Sequence, residues 1–195
     1  MSQHPSHPAL IKRPNDAGAP EQILHQGHWL SLKCRGRWEY VERNTPAGAV
    51  VIVAMTPRQQ VLFVEQYRVP IGAATIEMPA GLIGDLPGAT EENVFDSARR
   101  ELEEETGYAA TRFELLAAGP SSAGMSTEII HFVRARELRK VGPGGGDATE
   151  NIVVHEIPLK AAAQWLQERQ SQGIPIDPKL YAGLWWLQQD ESADY

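Results

Sequence analysis

The stretch RRELEEETGY, residues 99–108, places four carboxylates in five consecutive positions. In a helix, residues three and four apart share a face, so Glu101, Glu104 and Glu105 become neighbours. Like charges at that spacing destabilise a helix by roughly 0.2–0.5 kcal/mol per pair, so something must offset the repulsion. Two interpretations are open: a solvated acidic surface, or a hard divalent cation that takes several carboxylate oxygens at once.

The surrounding residues predict an amphipathic helix with one apolar stripe. Val94, Ala98 and Leu102 recur every four residues, which is the helical period. Thr90 or the carboxylates that follow it can cap the start of this helix, and Gly107 stands where a left-handed C-terminal cap is expected.

Glu101 and Glu105 lie one step round from the apolar stripe, so we expect them at the edge of a cleft. Just upstream, MPAGLIG, residues 78–84, supplies a glycine-containing turn that can bring backbone carbonyls towards the helix. A site made of Glu101, Glu105 and a loop carbonyl would suit Mg²⁺, which keeps waters and takes substrate phosphates as further ligands. Such a metal could polarise a phosphoryl group and activate water.

The composition narrows the class of protein. The 195 residues are 42% hydrophobic with a formal net charge of −7, which suits one globular domain with an extension. The negative charge argues against nucleic-acid binding, although a small phosphorylated ligand remains compatible with it. The single cysteine, Cys34, excludes a disulfide framework and is expected in a strand. No signal peptide or membrane helix is visible, so we expect a cytoplasmic protein without membrane contact.

The chain divides into three parts by pattern. Residues 1–20 are rich in Pro, His and Ser and are expected to be flexible. Residues 21–46 predict a small strand-rich subdomain, with the RGR at 35–37 as a hairpin turn. Residues 47–195 predict a mixed α/β (α+β) domain. Its predicted strands lie near 47–55, 61–68, 112–122, 128–138 and 152–159, and its later helices near 159–173 and 177–190, the last with Leu180, Leu184 and Leu187 on one stripe.

The acidic stretch resembles the signature of the Nudix hydrolases, which reads Gly, five residues, Glu, seven residues, Arg-Glu-apolar-x-Glu-Glu-x-Gly-apolar. Glu92, seven residues and then RELEEETGY from Arg100 match its second half position for position. Between Gly81 and Glu92 there are ten residues where the signature has five, within a Gly/Pro-containing turn that should tolerate insertion. The resemblance covers residues 25 to 188 and implies a Nudix-type α/β/α sandwich with a mixed sheet.

Residues 61–81, VLFVEQYRVPIGAATIEMPAG, are similar to the subgroup that cleaves ADP-ribose and nucleoside diphosphate sugars. That similarity implies that Arg68 binds a phosphate, that Glu77 helps to hold the ligand, and that Ala80 gives its carbonyl to a metal. Without the family, Arg68 could equally be a solvated cation at a strand end.

Two later segments resemble parts of the same subgroup. SSAGMSTE, residues 121–128, is similar to the SPGxxxE signature of ADP-ribose pyrophosphatases, which assigns Glu128 to the substrate, although Ala123 replaces the proline. TEIIHF and the GGGDATENIVVHEI that follows look closer to the GDP-mannose-type branch. There the Gly-rich loop carries a glutamate that binds metal or activates water, which matches Glu150, with Asp147 second. The alternative is an ordinary solvated loop acid.

The resemblance implies hydrolysis of the diphosphate bond of a nucleoside diphosphate sugar, of the ADP-ribose or GDP-mannose type. Mg²⁺, or Mn²⁺ in its place, would be held by Glu101, Glu104, Glu105 and the carbonyl of Ala80. A carboxylate such as Glu150 or Glu104 would orient the attacking water, and Arg100 would brace the acidic helix. The alternative is a nucleotide-binding regulatory module of the same fold that does not hydrolyse its ligand.

The aromatic residues predict an assembly. A small sheet carrying Trp29 and Trp38 is marginal alone and needs a hydrophobic surface to cover it. In the resembling subgroup, two chains exchange their N-terminal sheets, so we expect a homodimer in which one of these tryptophans lies at the interface or near the base of the ligand. The alternative is that both fill the core of their own chain. The adjacent Trp185 and Trp186 point about 100° apart on a helix, so one can enter the core while the other faces outward.

Overall fold

The computed structural model describes residues 12–44, 48–84, 92–146 and 150–192. Two compact units are distinguished: one holds the described residues before position 45 together with Ser121–Glu128, and the other holds the rest. Thr90, Asp147 and most of the insertion before Glu92 lie outside the described residues. Within these ranges, no helix has the length and apolar character needed to cross a membrane.

The secondary structure of the described residues begins with a short 3₁₀ turn, Asn15–Gly18, in the segment that was predicted to be flexible. The strands are β1 (Glu21–Gln26), β2 (Leu30–Arg35), β3 (Trp38–Arg43), β4 (Ala49–Ala54), β5 (Gln60–Arg68), β6 (Ala73–Glu77), β7 (Ala80–Leu82), β8 (Tyr108–Ala109), β9 (Arg112–Pro120), β10 (Ile129–Arg136), β11 (Arg139–Lys140) and β12 (Val153–Pro158). The helices are α1 (Val94–Thr106), α2 (Leu159–Ser171) and α3 (Lys179–Ser192).

Two sheets form the centre of the larger unit. The first has the strand order β7-β4-β10-β9 and is mixed, because β4 and β10 run parallel while the other pairs are antiparallel. The second is antiparallel and has the order β12-β5-β6. Strands β4, β5, β9, β10 and β12 confirm the five strands predicted from apolar runs.

Strand β4 separates two hydrophobic cores. Successive side chains of a strand point to opposite faces, and here Val51 and Val53 join one core while Val50 and Ile52 join the other. The first core contains side chains of α2 and α3, and the second contains side chains of α1. The sheet is therefore covered by helices on both faces, which confirms the predicted α/β/α arrangement.

Helix α3 contributes the predicted stripe to the first core. Leu180, Leu184 and Leu187 are all buried. The two adjacent tryptophans separate as expected: Trp186 packs its ring 5.0 Å from that of Phe132, while Trp185 is 56% exposed.

Helix α1 has the predicted apolar stripe and a different N-terminal cap. Ala98 and Leu102 are fully buried, and Gly107 ends the helix with a φ of 69°, as predicted. The start is capped by Asn93, whose side-chain oxygen accepts hydrogen bonds from the backbone N–H groups of Phe95 and Asp96. The expectation that one of the nearby carboxylates serves as the cap is wrong. Asn93 satisfies two of the four free N–H groups that every helix start presents.

The smaller unit contains a three-stranded antiparallel sheet of order β1-β2-β3. As predicted, β2 and β3 form a hairpin, with Gly36 at a φ of 60° in its turn, and Cys34 lies in a strand. The loop Ser121–Glu128 belongs to the same unit: the N–H of Val41 donates to the carbonyl of Met125, and Arg43 pairs with Glu128. Sequence patterns placed this loop in the main domain.

The cap of α1 generates a stability prediction. Asn93→Ala removes the acceptor for two helix N–H groups and should lower the free energy of unfolding by about 1 kcal/mol. Asn93→Ser retains a capping oxygen and should stay close to the wild type. Urea unfolding followed by circular dichroism measures both variants, and an alanine variant as stable as the serine variant would show that the cap contributes nothing.

Candidate active site

Helix α1 carries its carboxylates on two different faces. Glu101 and Glu105 are one turn apart on the face that packs towards the core, with exposed fractions of 8% and 1%. Glu103 and Glu104 are exposed. The interpretation of the whole stretch as a solvated acidic surface is therefore wrong for Glu101 and Glu105.

Glu105 is a buried carboxyl group held by the backbone of the preceding strand. Its Oε2 accepts a hydrogen bond of 3.0 Å from the N–H of Ala80. Burial, with the charges of Glu101 and Glu150, raises the pKa of Glu105 well above its ordinary value, although the bond from Ala80 and the charge of Arg68 oppose this shift. A carboxylate in such a place is stabilised by any nearby cation.

The segment that faces these carboxylates is a strand and not the predicted turn. Residues Ala80–Leu82 form β7, which pairs antiparallel with β4. Gly81 in this strand has no side chain, and a Cβ at that position would collide with the carboxylate of Glu101. The absence of a side chain at Gly81 therefore leaves room for the carboxylate of Glu101 against the backbone of β7.

Arg100 braces the acidic helix, as predicted. It lies within ion-pair distance of three carboxylates, at 2.8 Å from Glu101, 3.3 Å from Glu104 and 3.1 Å from Glu92. Its guanidinium also donates to the carbonyl of Leu82 in β7. This one side chain therefore ties α1 to β7.

Glu92 has a structural role that the sequence analysis did not assign. It accepts hydrogen bonds from Arg100, from the hydroxyl of Ser97 and from the N–H of Gly84. Burial opposes its ionisation, but these hydrogen bonds outweigh that effect and lower the pKa of Glu92 to about 2. Glu92 therefore stays ionised and holds Arg100 in place.

Two predicted substrate residues bind each other. Arg68 at the end of β5 donates to both carboxylate oxygens of Glu77 in β6, at 2.6 and 2.8 Å. Arg68 is therefore an ion-paired cation at a strand end, with a side chain that is 39% exposed. The bond to Glu77 raises the pKa of Arg68, with further contributions from the charges of Glu105 and Glu150. The pair thus belongs to the same electrostatic environment as Glu101 and Glu105, which form the acidic face of α1.

The glycine-rich loop brings Glu150 into this environment. The N–H groups of Gly145 and Gly146 donate to the carbonyls of Glu105 and Glu104, at 2.8 and 3.0 Å. Glu150 is exposed, and its charge acts on both Glu105 and Arg68.

The remaining predicted residues lie in the smaller unit. Glu128 pairs with Arg43 at 2.6 Å. Trp29 and Trp38 are 71% and 49% exposed, so neither fills the core of its own chain as the alternative interpretation required.

The described side chains do not by themselves form a closed metal site. Within residues 12–44, 48–84, 92–146 and 150–192, no group of three or more His, Cys, Asp or Glu side chains is arranged to hold a metal ion. Arg100 is the cation that contacts Glu101 and Glu104 here. The oxygen donors and the buried charge of Glu101 and Glu105 nevertheless fit the chemistry of a hard divalent cation.

Comparisons with known proteins agree with this geometry. The profile of the NUDIX domain matches residues 45–175. The chain is 35% identical over 148 residues to a methanol dehydrogenase activator of Bacillus methanolicus, and 32% identical over 148 residues to an ADP-ribose pyrophosphatase of Bacillus subtilis. Each match covers 74% of this chain and 74% of the relative.

A solved structure has the same fold. A crystal structure of an ADP compounds hydrolase superposes with a TM-score of 0.68 at 20% sequence identity, covering 90% of this chain and 93% of the other. The family profile spans α1 and the two central sheets of the larger unit. The chain belongs to the Nudix family.

Proposed function

We propose that the chain is a cytoplasmic hydrolase that cleaves the diphosphate bond of a nucleoside diphosphate sugar, of the ADP-ribose or GDP-mannose type. The observation that carries this proposal is the buried pair Glu101 and Glu105, held against β7 in a chain of the Nudix family. The relative from Bacillus subtilis is named an ADP-ribose pyrophosphatase, which supports the substrate class.

Carboxylates from both faces of α1 would hold the divalent cation that Nudix hydrolases generally use. Glu101, Glu104, Glu105 and the carbonyl of Ala80 would be its protein ligands, with Mg²⁺ as the proposed ion and Mn²⁺ as a substitute. When bound, the cation would neutralise charge that develops on the phosphoryl oxygens. Its binding to Glu101 would replace the contact that Arg100 makes with that carboxylate.

The other residues would position the diphosphate and the attacking water. Arg68 carries a guanidinium that can donate charge-assisted hydrogen bonds to a phosphate, and Glu77 fixes its orientation. Glu150 or Glu104 would accept a proton from water as the water oxygen attacks one phosphorus. The bond between that phosphorus and the bridging oxygen breaks, and the products are a nucleoside monophosphate and a sugar phosphate.

The second candidate function is regulatory. The relative from Bacillus methanolicus is named an activator of a dehydrogenase, and a nucleotide-binding module need not hydrolyse its ligand. The retention of every carboxylate in the signature favours hydrolysis, because ligand binding alone does not require a buried, charged pair that costs stability. Release of nucleoside monophosphate in the presence of Mg²⁺ distinguishes the two functions.

We also propose that the chain is a homodimer with exchanged N-terminal strands. The sheet β1-β2-β3 exposes Ile23, Leu24 and Trp38, and the loop between β1 and β2 exposes Trp29. Exposed apolar groups on a sheet of only three strands favour burial against another surface. A second copy of the chain is the proposed surface, and Trp29 or Trp38 would lie at that interface or near the base of the ligand, with Glu128 also reaching the substrate.

The metal site predicts the effect of removing one charge. Glu105→Gln keeps the shape of the side chain and the acceptor for the N–H of Ala80. Because a carboxylate ligand is lost, turnover with Mg²⁺ should fall by at least ~100-fold. The matched control is Glu103→Gln on the exposed face of the same helix, which should leave turnover unchanged.

Unfolding at different pH values shows whether Glu105→Gln keeps the fold. Burial raises the pKa of Glu105, so ionisation of Glu105 destabilises the folded chain. Without metal, the wild type should therefore lose stability relative to Glu105→Gln as the pH rises from the ordinary glutamate pKa through the raised pKa. Near-normal turnover of a folded Glu105→Gln variant would refute its assignment as a metal ligand.

The substrate class gives a second prediction. Nucleoside diphosphate sugars, ADP-ribose included, should be hydrolysed with a higher kcat/KM than any nucleoside triphosphate, because the proposed site binds a diphosphate with groups on both sides. A panel of ADP-ribose, GDP-mannose, ADP-glucose, UDP-glucose and the triphosphates, assayed with Mg²⁺ and with Mn²⁺, measures this. A triphosphate that exceeds every diphosphate sugar would overturn the assignment.

The dimer gives a third prediction. Sedimentation equilibrium at micromolar concentration should show a species of twice the 21.5 kDa chain mass. Changing Trp29 and Trp38 together to Ala should weaken the dimer, because apolar interface area is lost. The control is Trp185→Ala, which removes an exposed ring from α3. A wild-type mass of 21.5 kDa would contradict the dimer.

A further inference from the structure

The C-terminal end of α1 is closed by a segment from a distant part of the sequence. A helix leaves its last four carbonyl groups without partners inside the helix. In α1 the carbonyl of Glu103 accepts from Gly107, and that of Thr106 accepts from the ammonium group of Lys140. The carbonyl of Glu104 accepts from the N–H of Gly146, and the carbonyl of Glu105 accepts from the N–H of Gly145. All four are therefore satisfied.

We call residues 141–146 the glycine strap. At its start, the N–H groups of Val141 and Gly142 both donate to the carbonyl of Gly107, at 2.8 and 3.1 Å. At its end, the carbonyl of Gly145 accepts from the N–H of Ile152 at 3.1 Å. The strap is thus fixed by backbone hydrogen bonds to the residue that ends α1 and to the residue just before β12.

Three consecutive positions of the strap have backbone angles that favour glycine. Gly144, Gly145 and Gly146 have φ angles of 73°, 112° and 82°, which side-chain-bearing residues rarely adopt. A Cβ at Gly144 would lie 2.7 Å from the carbonyl oxygen of Glu105 and 2.8 Å from the nitrogen of Gly107. Both neighbours are backbone atoms of the helix end, so they cannot rotate away.

The last residue of the strap lies beside Glu150. A Cβ at Gly146 would come within 2.6 Å of Oε2 and 2.7 Å of Cβ of Glu150, so the carboxylate lies directly against the strap. The charge of Glu150 acts on Glu105 and on Arg68 from this position. The strap therefore lies between the C-terminal end of α1, which accepts its hydrogen bonds, and the carboxylate of Glu150.

We propose that Gly144 is a positioning residue, which sets the distance between Glu150 and the acidic face of α1 by allowing the strap to close on the helix end. This inference rests on the proposed function, with Glu150 as the one of its two candidate carboxylates that acts on the attacking water. Gly144 contacts no substrate and acts through Glu150. A displacement of about 1 Å at a catalytic group can lower a rate by as much as roughly 100-fold.

The test compares two alanine substitutions in the same strap. Gly144→Ala should lower kcat roughly 10- to 100-fold with little change in KM, because the chemical step and not ground-state binding is affected. Gly142→Ala is the matched control: a Cβ there meets no atom within 4 Å. It should leave kcat unchanged. Circular dichroism and thermal unfolding establish that each variant is folded.

A double-mutant cycle with Glu150→Gln separates positioning from a general structural effect. If Gly144 acts through Glu150, Gly144→Ala should cause no further loss of kcat in the Glu150→Gln background. Equal losses in both backgrounds would overturn the proposal, and so would a Glu150→Gln variant with normal kcat.

A second measurement needs no variant. Hydrogen exchange in the wild-type chain should show the amides of Gly145 and Gly146 protected to the same degree as the last turn of α1, because they donate to its carbonyls. Exchange at the rate of an open loop would overturn the proposal. Failure of the wild type to hydrolyse any diphosphate sugar would refute the proposed function, whereas the exchange result tests the closure of the strap separately.

Discussion

The burial of negative charge on one face of α1 is the constraint on which the larger unit depends. Ala98 and Leu102 must enter the core, and the helical period then carries Glu101 and Glu105 to the edge of that core. Two carboxylates so placed repel each other and lose hydration, which disfavours the folded state unless other groups compensate. Glu105 also lies in the last turn of the helix, where the negative end of the helix dipole further disfavours its charge.

The compensating groups come from separate parts of the chain. The N–H of Ala80 binds Glu105, and Arg100 binds Glu101 while it is itself held by Glu92. The glycine strap and Lys140 supply donors to the carbonyls at the helix end. Strand β7, the residues before α1 and the loop before β12 are thereby organised around one short helix. In our account the remaining negative charge is what a divalent cation would bind.

Local patterns were enough to predict much of this arrangement. The stripe of α1, its end at Gly107, the stripe of α3 and the five apolar strands depend on nearby residues and on period, which a sequence displays directly. The strand at Ala80–Leu82 was missed because three residues that contain a glycine carry no strand period, and pairing with β4 decides their conformation.

The interactions that sequence patterns missed join residues far apart in the chain. The bidentate pair of Arg68 and Glu77 depends on the register of β5 with β6. The closure of α1 by the glycine strap depends on three positive φ angles that a run of glycines permits but does not specify. The loop that carries Glu128 joins the N-terminal sheet through backbone hydrogen bonds, which leave no mark in composition.

The central claim is that the buried carboxylates of α1 form a divalent cation site. Anomalous diffraction from crystals grown with Mn²⁺ and a nonhydrolysable analogue of ADP-ribose tests it most directly. The account predicts an anomalous peak at direct coordination distance, about 2.1 Å, from carboxylate oxygens of Glu101 and Glu105. An anomalous peak found only away from Glu101 and Glu105, with Arg100 still paired to Glu101, would contradict the account.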